Sequence, residues 1–497
     1  MTEQSSITTG ENSPVAPAKR ICFVLAAYFV IQVILRLLTS NSADLDESEQ
    51  LVFAQQFQWG YGPQPPLYTW LQILVFKITT PSILGLSLLK NLLLFGTYTL
   101  TYLNARLVTR SHALGVAAAA ALLFVPEIAW ESQRDLTHTV LATTLATAAF
   151  HLFLRLRENN SIANYFFFGL CCGFGLLANY NFAAFLFGLI VASLVLVRFR
   201  NIFLDAKIFL ALLVCVVILL PHFLWATHNF GTIASTSHKF KIQSDRLSVN
   251  ILFSGLKNLI SATATHIGAL IGIVGLVALT SRKSGRNETA GCDVARLILS
   301  GIAVVLAALV CGVVLFKVTG FKDRWFQPVF VCLPVALVVF FQNRLGTKQI
   351  RALVALAIIV AAAICVSFPT RIWFAEKLHR REQLVAPFDR LSEEIRLEFP
   401  TAKTIIAEDL WLGGNLRRCF PEAQVLTPQL PGSWRRDDAP KTRLLIWNAT
   451  RKESPPESVL NFAKSVSEFD EADARHIEAT LKYFESKKMR LGIMAEK

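Results

Sequence analysis

Long apolar runs recur along the first three quarters of the chain, each far longer than a soluble helix needs. Crossing a hydrocarbon core of roughly 30 Å takes a helix of about 20 such residues. The pattern predicts about eleven spans, at 21–38, 82–104, 112–126, 136–154, 162–178, 180–197, 208–226, 257–280, 294–316, 328–341 and 351–368. Residues 1–18 are polar and read as a disordered cytoplasmic tail, 19–370 as the transmembrane domain, and 371–497, where charge and proline rise, as a separate soluble domain. The first span resembles the apolar part of a signal peptide, with small residues near Ser42 and Ala43, but ten further spans follow it and it reads as a retained helix.

Between the first two spans lies a segment too patterned for a linker. Asp44, Asp46, Glu47 and Glu49 open it, where a helix N-terminus favours negative charge, and Phe53 and Phe57 follow one turn apart. The stretch Trp59 to Leu67, WGYGPQPPL, is a turn by its glycines and prolines, and Leu67, Trp70, Leu71 and Leu74 then resume helical spacing. Two interfacial helices joined by an aromatic turn carrying Trp59, Tyr61 and Gln64 are therefore expected to cap a cavity at the bilayer boundary. In the soluble domain, apolar stretches at 404–407 and 443–447 read as strands, with helices over 375–399 and near 412–419, 456–465 and 474–486. The alternation predicts a small α/β domain, with Gly413 and Gly414 in a structural turn.

A composition of 53% hydrophobic and 17% charged residues agrees with a polytopic α-helical membrane protein. A net charge of +14 would point to nucleic acid if it were spread evenly. Instead the cations cluster at every second junction: Lys19 and Arg20; Arg106 and Arg110; Arg155 and Arg157; Arg198, Arg200 and Lys207; Arg282, Lys283 and Arg286; Arg344, Lys348 and Arg351. That alternation puts the N-terminus inside a bacterial inner membrane, and it puts 39–80, 127–135, 227–250, 317–327 and the C-terminal domain on the periplasmic face. The nine cysteines form no paired framework, and no Cys/His/Asp cluster has metal-ligand spacing.

Chemistry is expected on that outer face. Asp46, with Glu47 beside it, is placed to accept the proton of an attacking hydroxyl. Arg134, Asp135 and His138 enter the fourth span from a short outer turn and face whatever the first loop encloses. Lys322 and Arg324 are outer cations against the inside bias, suited to a departing phosphate. Lys90 lies well inside the second span, where an ammonium demands a partner, a carboxylate or a donor phosphate. His222, Trp225 and His228 stand at the outer end of the seventh span, as cavity lining or interfacial anchors.

Over approximately 20–370 the chain resembles the GT-C-fold membrane glycosyltransferases, family 39-like, which include protein O-mannosyltransferases and lipid A aminoarabinose transferases. The marks are the Asp46 and Glu47 pair just after the first span, the Pro65-Pro66-Leu67 element after it, and Lys90 in the second span. The resemblance implies a polyprenyl-phosphate sugar donor, an acidic catalytic residue in the first outer loop at Asp46, basic residues near the lipid phosphate at Arg324 and an acidic second-loop position at Asp135. It departs at Gln64, where many bacterial relatives have histidine, and at Asn179, where they have lysine. Some relatives bind a divalent metal ion, and no cofactor is otherwise implied. The expected function is inverting transfer of sugar to an envelope glycolipid, glycan or protein. A lipid-linked sugar transporter or flippase is the alternative, and it predicts internal repeats that the sequence lacks.

Overall fold

The structure, a computed structural model, describes residues 15–235, 237–243, 248–281, 291–379, 383–430, 442–450 and 452–496. The expected tail therefore lies outside the described residues up to residue 14, as do Arg282, Lys283 and Arg286, and the first helix begins at Val15. Among the described residues, seven helices are long and apolar enough to cross a membrane, and ten spans result if each of three bent pairs counts as one. The count of eleven is thus not reached. The remaining expected span is the apolar helix Ile162–Ala178, whose 17 residues rise only about 25 Å.

The bends mark where simple periodicity misleads. His112–Phe124 turns by 78° into Glu127–Arg134, Phe182–Val195 by 114° into Val197–Leu204, and Asp323–Phe330 by 55° into Leu333–Phe340. Pro126, Pro328 and Pro334 stand at or near two of these breaks, each lacking the amide that a continuing helix would donate. Inside the bundle, close approach replaces the hydrophobic driving force that lipid cannot supply. At the crossing of Phe182–Val195 with Cys292–Phe316, a Cβ on Gly188 would lie 2.6 Å from the carbonyl oxygen of Gly301, so only glycine lets these backbones touch.

The first loop forms both predicted helices, Leu45–Phe53 and Leu67–Thr79. Asp44 caps the first of them, and Glu47 bonds back to the Asp44 amide at 3.1 Å, a reciprocal box that satisfies two otherwise orphaned donors.

The C-terminal residues build a five-stranded sheet in the order β2-β1-β3-β5-β4, from β1 Ala402–Ala407, β2 Gln424–Leu426, β3 Thr442–Asn448, β4 Arg475–Thr480 and β5 Lys488–Ala495. The strands β1, β2 and β3 are parallel, with the helix Leu410–Cys419 crossing between β1 and β2, whereas β5 runs antiparallel to β3 and β4. Three expectations need correction here. The helix expected over 474–486 is strand β4, because Ile477 and Ala479 find antiparallel partners in Leu491 and Met489, and pairing overrides the local helical spacing. The helix expected over 375–399 covers only Phe388–Glu398, with Pro387 breaking the chain ahead of it. Gly413 and Gly414 lie within a helix rather than a turn, and Gly414 brings it against the first loop, since a Cβ there would sit 2.3 Å from the Ser48 carbonyl oxygen.

This domain clamps the first loop. Asn415 exchanges hydrogen bonds with the Ala43 backbone at 2.8 and 3.2 Å, and Trp411 donates its indole N–H to the same carbonyl at 3.1 Å. The Gln55 amide bonds both the N–H and the carbonyl of Val425, at 2.8 and 3.0 Å, and so occupies the exposed edge of β2.

Candidate active site

The clamped helix Leu45–Phe53 presents two chemically different faces. One is turned inward, where Glu47 accepts from Arg36 Nη2 at 2.6 Å and from Lys90 Nζ at 3.3 Å, with all three side chains almost fully buried. Arg36 also donates to the carbonyls of Ser40 and Ser42, at 2.7 and 2.8 Å. Burial alone would raise the Glu47 carboxyl, but the Arg36 and Lys90 charges overcome it and hold the group at about 2. The partner demanded by Lys90 is thus Glu47, and Glu47 is permanently charged and fully engaged.

The other face looks into a cavity of about 390 Å³, lined by Asp46, Glu49, Gln64, His138 and Tyr180 together with Lys239, Arg324 and Trp325. Asp46 holds its backbone N–H on Asp135 Oδ1 at 2.9 Å. Burial first, and then the nearby Asp135 and Glu49 charges, push its carboxyl well above the usual range, against the pull of Arg324 and Lys90. Burial likewise lifts Glu49 to about 7, with Lys239 opposing and Asp135 adding to the rise. Asp135 itself is raised by burial, with Lys90 opposing. Carboxylates that share a cavity and resist ionisation are the stronger bases.

His138 is fixed from both sides. Its Nδ1 lies 3.3 Å from the Ala178 carbonyl oxygen and its Nε2 lies 3.1 Å from Gln50 Nε2, a pattern satisfied when Nδ1 donates and Nε2 accepts. Gln50 is oriented in turn by Thr69, which donates to its amide oxygen at 2.8 Å.

The cavity's cations come from two segments. Arg324 lies on the turn before Gln327 with Lys322 beside it outside the cavity lining, and burial beside Arg324 and Lys239 lowers the Lys322 ammonium. The short helix Ser237–Phe240 docks on that turn, with the Thr319 and Gly320 amides donating to the Phe240 carbonyl at 3.3 and 2.9 Å and Phe240 lying against Trp325 at 5.1 Å. Lys239 was not among the residues expected at the site. Its signal was the one that singled out Lys322 and Arg324, a basic cluster on an outer segment.

Several expected residues lie elsewhere. Tyr61 is turned into the protein, stacked on Phe53 at 5.6 Å and donating to the Gln56 carbonyl at 2.8 Å. Trp59 packs against Phe57 and Trp70, outside the cavity lining, and its carbonyl oxygen lies 2.8 Å from His222 Nδ1. His222 in turn reaches the Tyr180 hydroxyl at 3.0 Å, so it steadies a cavity wall rather than lining it. Asp135 lies buried behind Asp46, and Arg134 pairs with Glu131 at 2.7 Å and faces a second cavity. Among the described residues no group of three or more His, Cys, Asp or Glu side chains is arranged to hold a metal ion.

Comparison with known proteins places this architecture. Residues 63–225 match the family described as dolichyl-phosphate-mannose-protein mannosyltransferase. The chain is 36% identical to the lipopolysaccharide core galacturonosyltransferase RgtB of Rhizobium johnstonii, over 85% of this chain and 86% of that protein. It is 28% identical to RgtA of the same organism, also a lipopolysaccharide core galacturonosyltransferase, over 88% of each. Among solved structures, ArnT of Cupriavidus metallidurans, bound to undecaprenyl phosphate, superposes with a TM-score of 0.57 at 14% identity, covering 96% of this chain and 97% of that one, and its apo state gives the same score. The chain belongs to the GT-C-fold membrane glycosyltransferases.

Proposed function

We propose that this protein moves a galacturonosyl residue from a polyprenyl-phosphate donor to the core of an envelope glycolipid. The single observation that carries the mechanism is that Asp46 and Arg324 line one cavity and interact electrostatically, so that carboxylates and cations share it. The sugar and the acceptor follow from the 36% identical relative, and the lipid-phosphate donor from the ligand of the structural neighbour. Relatives named as transferases leave the transporter alternative without support.

In the proposed reaction an acceptor hydroxyl attacks the anomeric carbon as its proton passes to Asp46. The bond from that carbon to the phosphate oxygen breaks, and lipid phosphate leaves as a monoester against Lys322 and Arg324. One displacement inverts the anomeric centre. Positioning and charge stabilisation supply the acceleration, since no covalent intermediate forms. Gln64 and His138 contact the sugar beside Asp46, with Asp135 and Lys90 setting the field behind it. Lys90 acts through its charge, because its ammonium is held on Glu47.

The same reading assigns the sides. The first loop, Tyr180, Lys239, Arg324 and the C-terminal domain gather at one end of the bundle. The cationic junctions meet at the other, where Arg198 pairs with Asp293 and Gly291 lies against Val108. By the positive-inside bias the second end is cytoplasmic, with the N-terminus, and the cavity and C-terminal domain are periplasmic on the inner membrane.

The test is transfer in proteoliposomes from a radiolabelled polyprenyl-phosphate galacturonic acid donor to purified core glycolipid, with the product linkage read by NMR. Labelled glycolipid with inverted configuration is expected. Retained configuration would overturn the single displacement, and donor that merely changes leaflet would overturn transfer itself.

A further inference from the structure

A second cavity lies on the other side of the start of the helix Leu45–Phe53. It is a groove of about 890 Å³ between the membrane domain and the C-terminal domain, more than twice the volume of the sugar cavity. Small-molecule sites run to roughly 1,000 Å³, so this groove has room for an oligosaccharide rather than one ring.

Its lining is ordered by depth. Asp44 and Phe484 are buried, Arg134 and Trp411 half-buried, and Lys452 and Lys487 exposed at its rim. The inner end is continuous with the catalytic machinery. Asp44 precedes Asp46 by two residues, and Asp135, whose carboxylate takes the Asp46 amide at 2.9 Å, also acts electrostatically on Asp44. Only this turn and Asp135 separate the groove from the cavity where Asp46 meets Arg324.

The charges favour an anion. Four cations, Arg134, Lys452, Lys487 and Lys488, line the groove against two carboxylates, Asp44 and Glu408. Arg134 is paired with Glu131 and Lys488 with Glu478, whereas Lys452 and Lys487 are exposed and make no ion pair among the described residues. Glu408 is taken up by the Asn448 amide at 2.7 Å. Two exposed lysines, Lys487 with its ammonium 5.2 Å from the Phe484 ring centroid, stand with the half-buried Trp411 in the combination that meets an acidic sugar chain, charge for steering and a face for the rings.

We infer that this groove is the acceptor site, in which Lys452 and Lys487 capture the anionic core oligosaccharide of the glycolipid while Trp411 packs against its sugars and the buried Phe484 holds Lys487 in place. The inference rests on the transferase reading above. It gives the C-terminal domain a function, since that domain supplies the aromatic side chains and both rim lysines, and its clamp on Ala43 and Gln55 holds the groove against the first loop.

The double variant Lys452→Glu, Lys487→Glu tests it, with Lys452→Gln, Lys487→Gln as a milder companion. All four changes fall on exposed side chains with no ion pair among the described residues, and the neutral pair serves as the control for the contact of Lys487 with the Phe484 ring. In proteoliposomes with the labelled donor, the charge reversal is expected to raise the KM for core glycolipid by about tenfold, as the loss of roughly 1.4 kcal/mol of binding would. The neutral pair should give a smaller rise, and the KM for donor should stay as in wild type. Wild-type KM for glycolipid should also climb with salt, and the reversal should flatten that dependence. An unchanged glycolipid KM in the reversed variant, or an equal rise in both KM values, overturns the groove. Wild type that labels no glycolipid defeats the transferase reading instead, so the two failures are distinguishable.

Discussion

The two faces of the helix Leu45–Phe53 carry adjacent carboxylates with opposite fates. Glu47 is buried against Arg36 and Lys90 and held at about 2, while Asp46 faces the cavity with its carboxyl pushed well above the usual range. Both are acidic, both are secluded, and they differ by one position along a helix, about 100° of rotation. What separates them is pairing. A carboxylate with two cations in contact is a structural anchor with no basicity to offer, whereas one crowded by other acids retains its affinity for a proton. In the proposed reaction an acidic pair after the first span thus divides the labour, with Glu47 holding the loop and Asp46 serving as the base.

The sharpest way to break the comparison is to remove each acid. Asp46→Asn keeps shape and removes the base, so transfer should fall by roughly 10²–10⁴-fold with the KM for donor retained, measured as initial rates in proteoliposomes. Glu47→Gln should act on folding. It strands Arg36 and Lys90 without their counter-charge, and losing one partner of a buried pair costs about 3–5 kcal/mol, visible as a lowered melting temperature in detergent. Arg324→Ala removes charge stabilisation on the cavity side and should lower kcat by about 10²–10³-fold, with partial recovery in Arg324→Lys. Gly414→Ala presses a Cβ into the Ser48 carbonyl, and overpacking of this kind costs about 1–3 kcal/mol; it should loosen the clamp and reduce transfer with little effect on the membrane bundle.

The gentlest probe is pH, and the two faces should respond with opposite sign. Asp44 and Glu49, both lifted to about 7, bind protons in the folded chain that the unfolded chain has released, so their contribution to stability is present below about 4 and is lost as pH rises toward 7. Glu47 contributes above about 4.5, and its contribution is lost as pH falls toward 2. Melting temperature should therefore decline gently from pH 5 to 8 and drop again in strong acid. Over the same neutral range kcat/KM should increase, because Asp46 must shed its proton to act. A stability profile that rises from pH 5 to 8 would contradict the arrangement of the cavity acids.

Much of this was legible in the chain. Apolar runs located the helices, because lipid imposes one length and one polarity on them, and the acidic and aromatic pattern after the first span located both helices of the first loop. Pairings remote in sequence were not legible. Nothing local says that Lys90 meets Glu47, 43 positions away, or that Asn415 grips Ala43 across 372. Strand β4 has helix-like spacing and becomes a strand only because β5 lies beside it. Tyr61 looked like cavity lining because glycines flank it, yet its ring is packed on Phe53. Lys239 could have been found from the charge bias that found Arg324, but its place at the cavity depends on Phe240 docking against Trp325.

The most direct test sets Asp46→Asn beside Glu47→Gln at matched folded fraction and compares their single-turnover rates of sugar transfer. The expected result is a rate lower by at least about a hundredfold in Asp46→Asn and a near-wild-type rate in the folded portion of Glu47→Gln. Equal rates in the two variants, or a loss confined to Glu47→Gln, would contradict the assignment of Asp46 as the base.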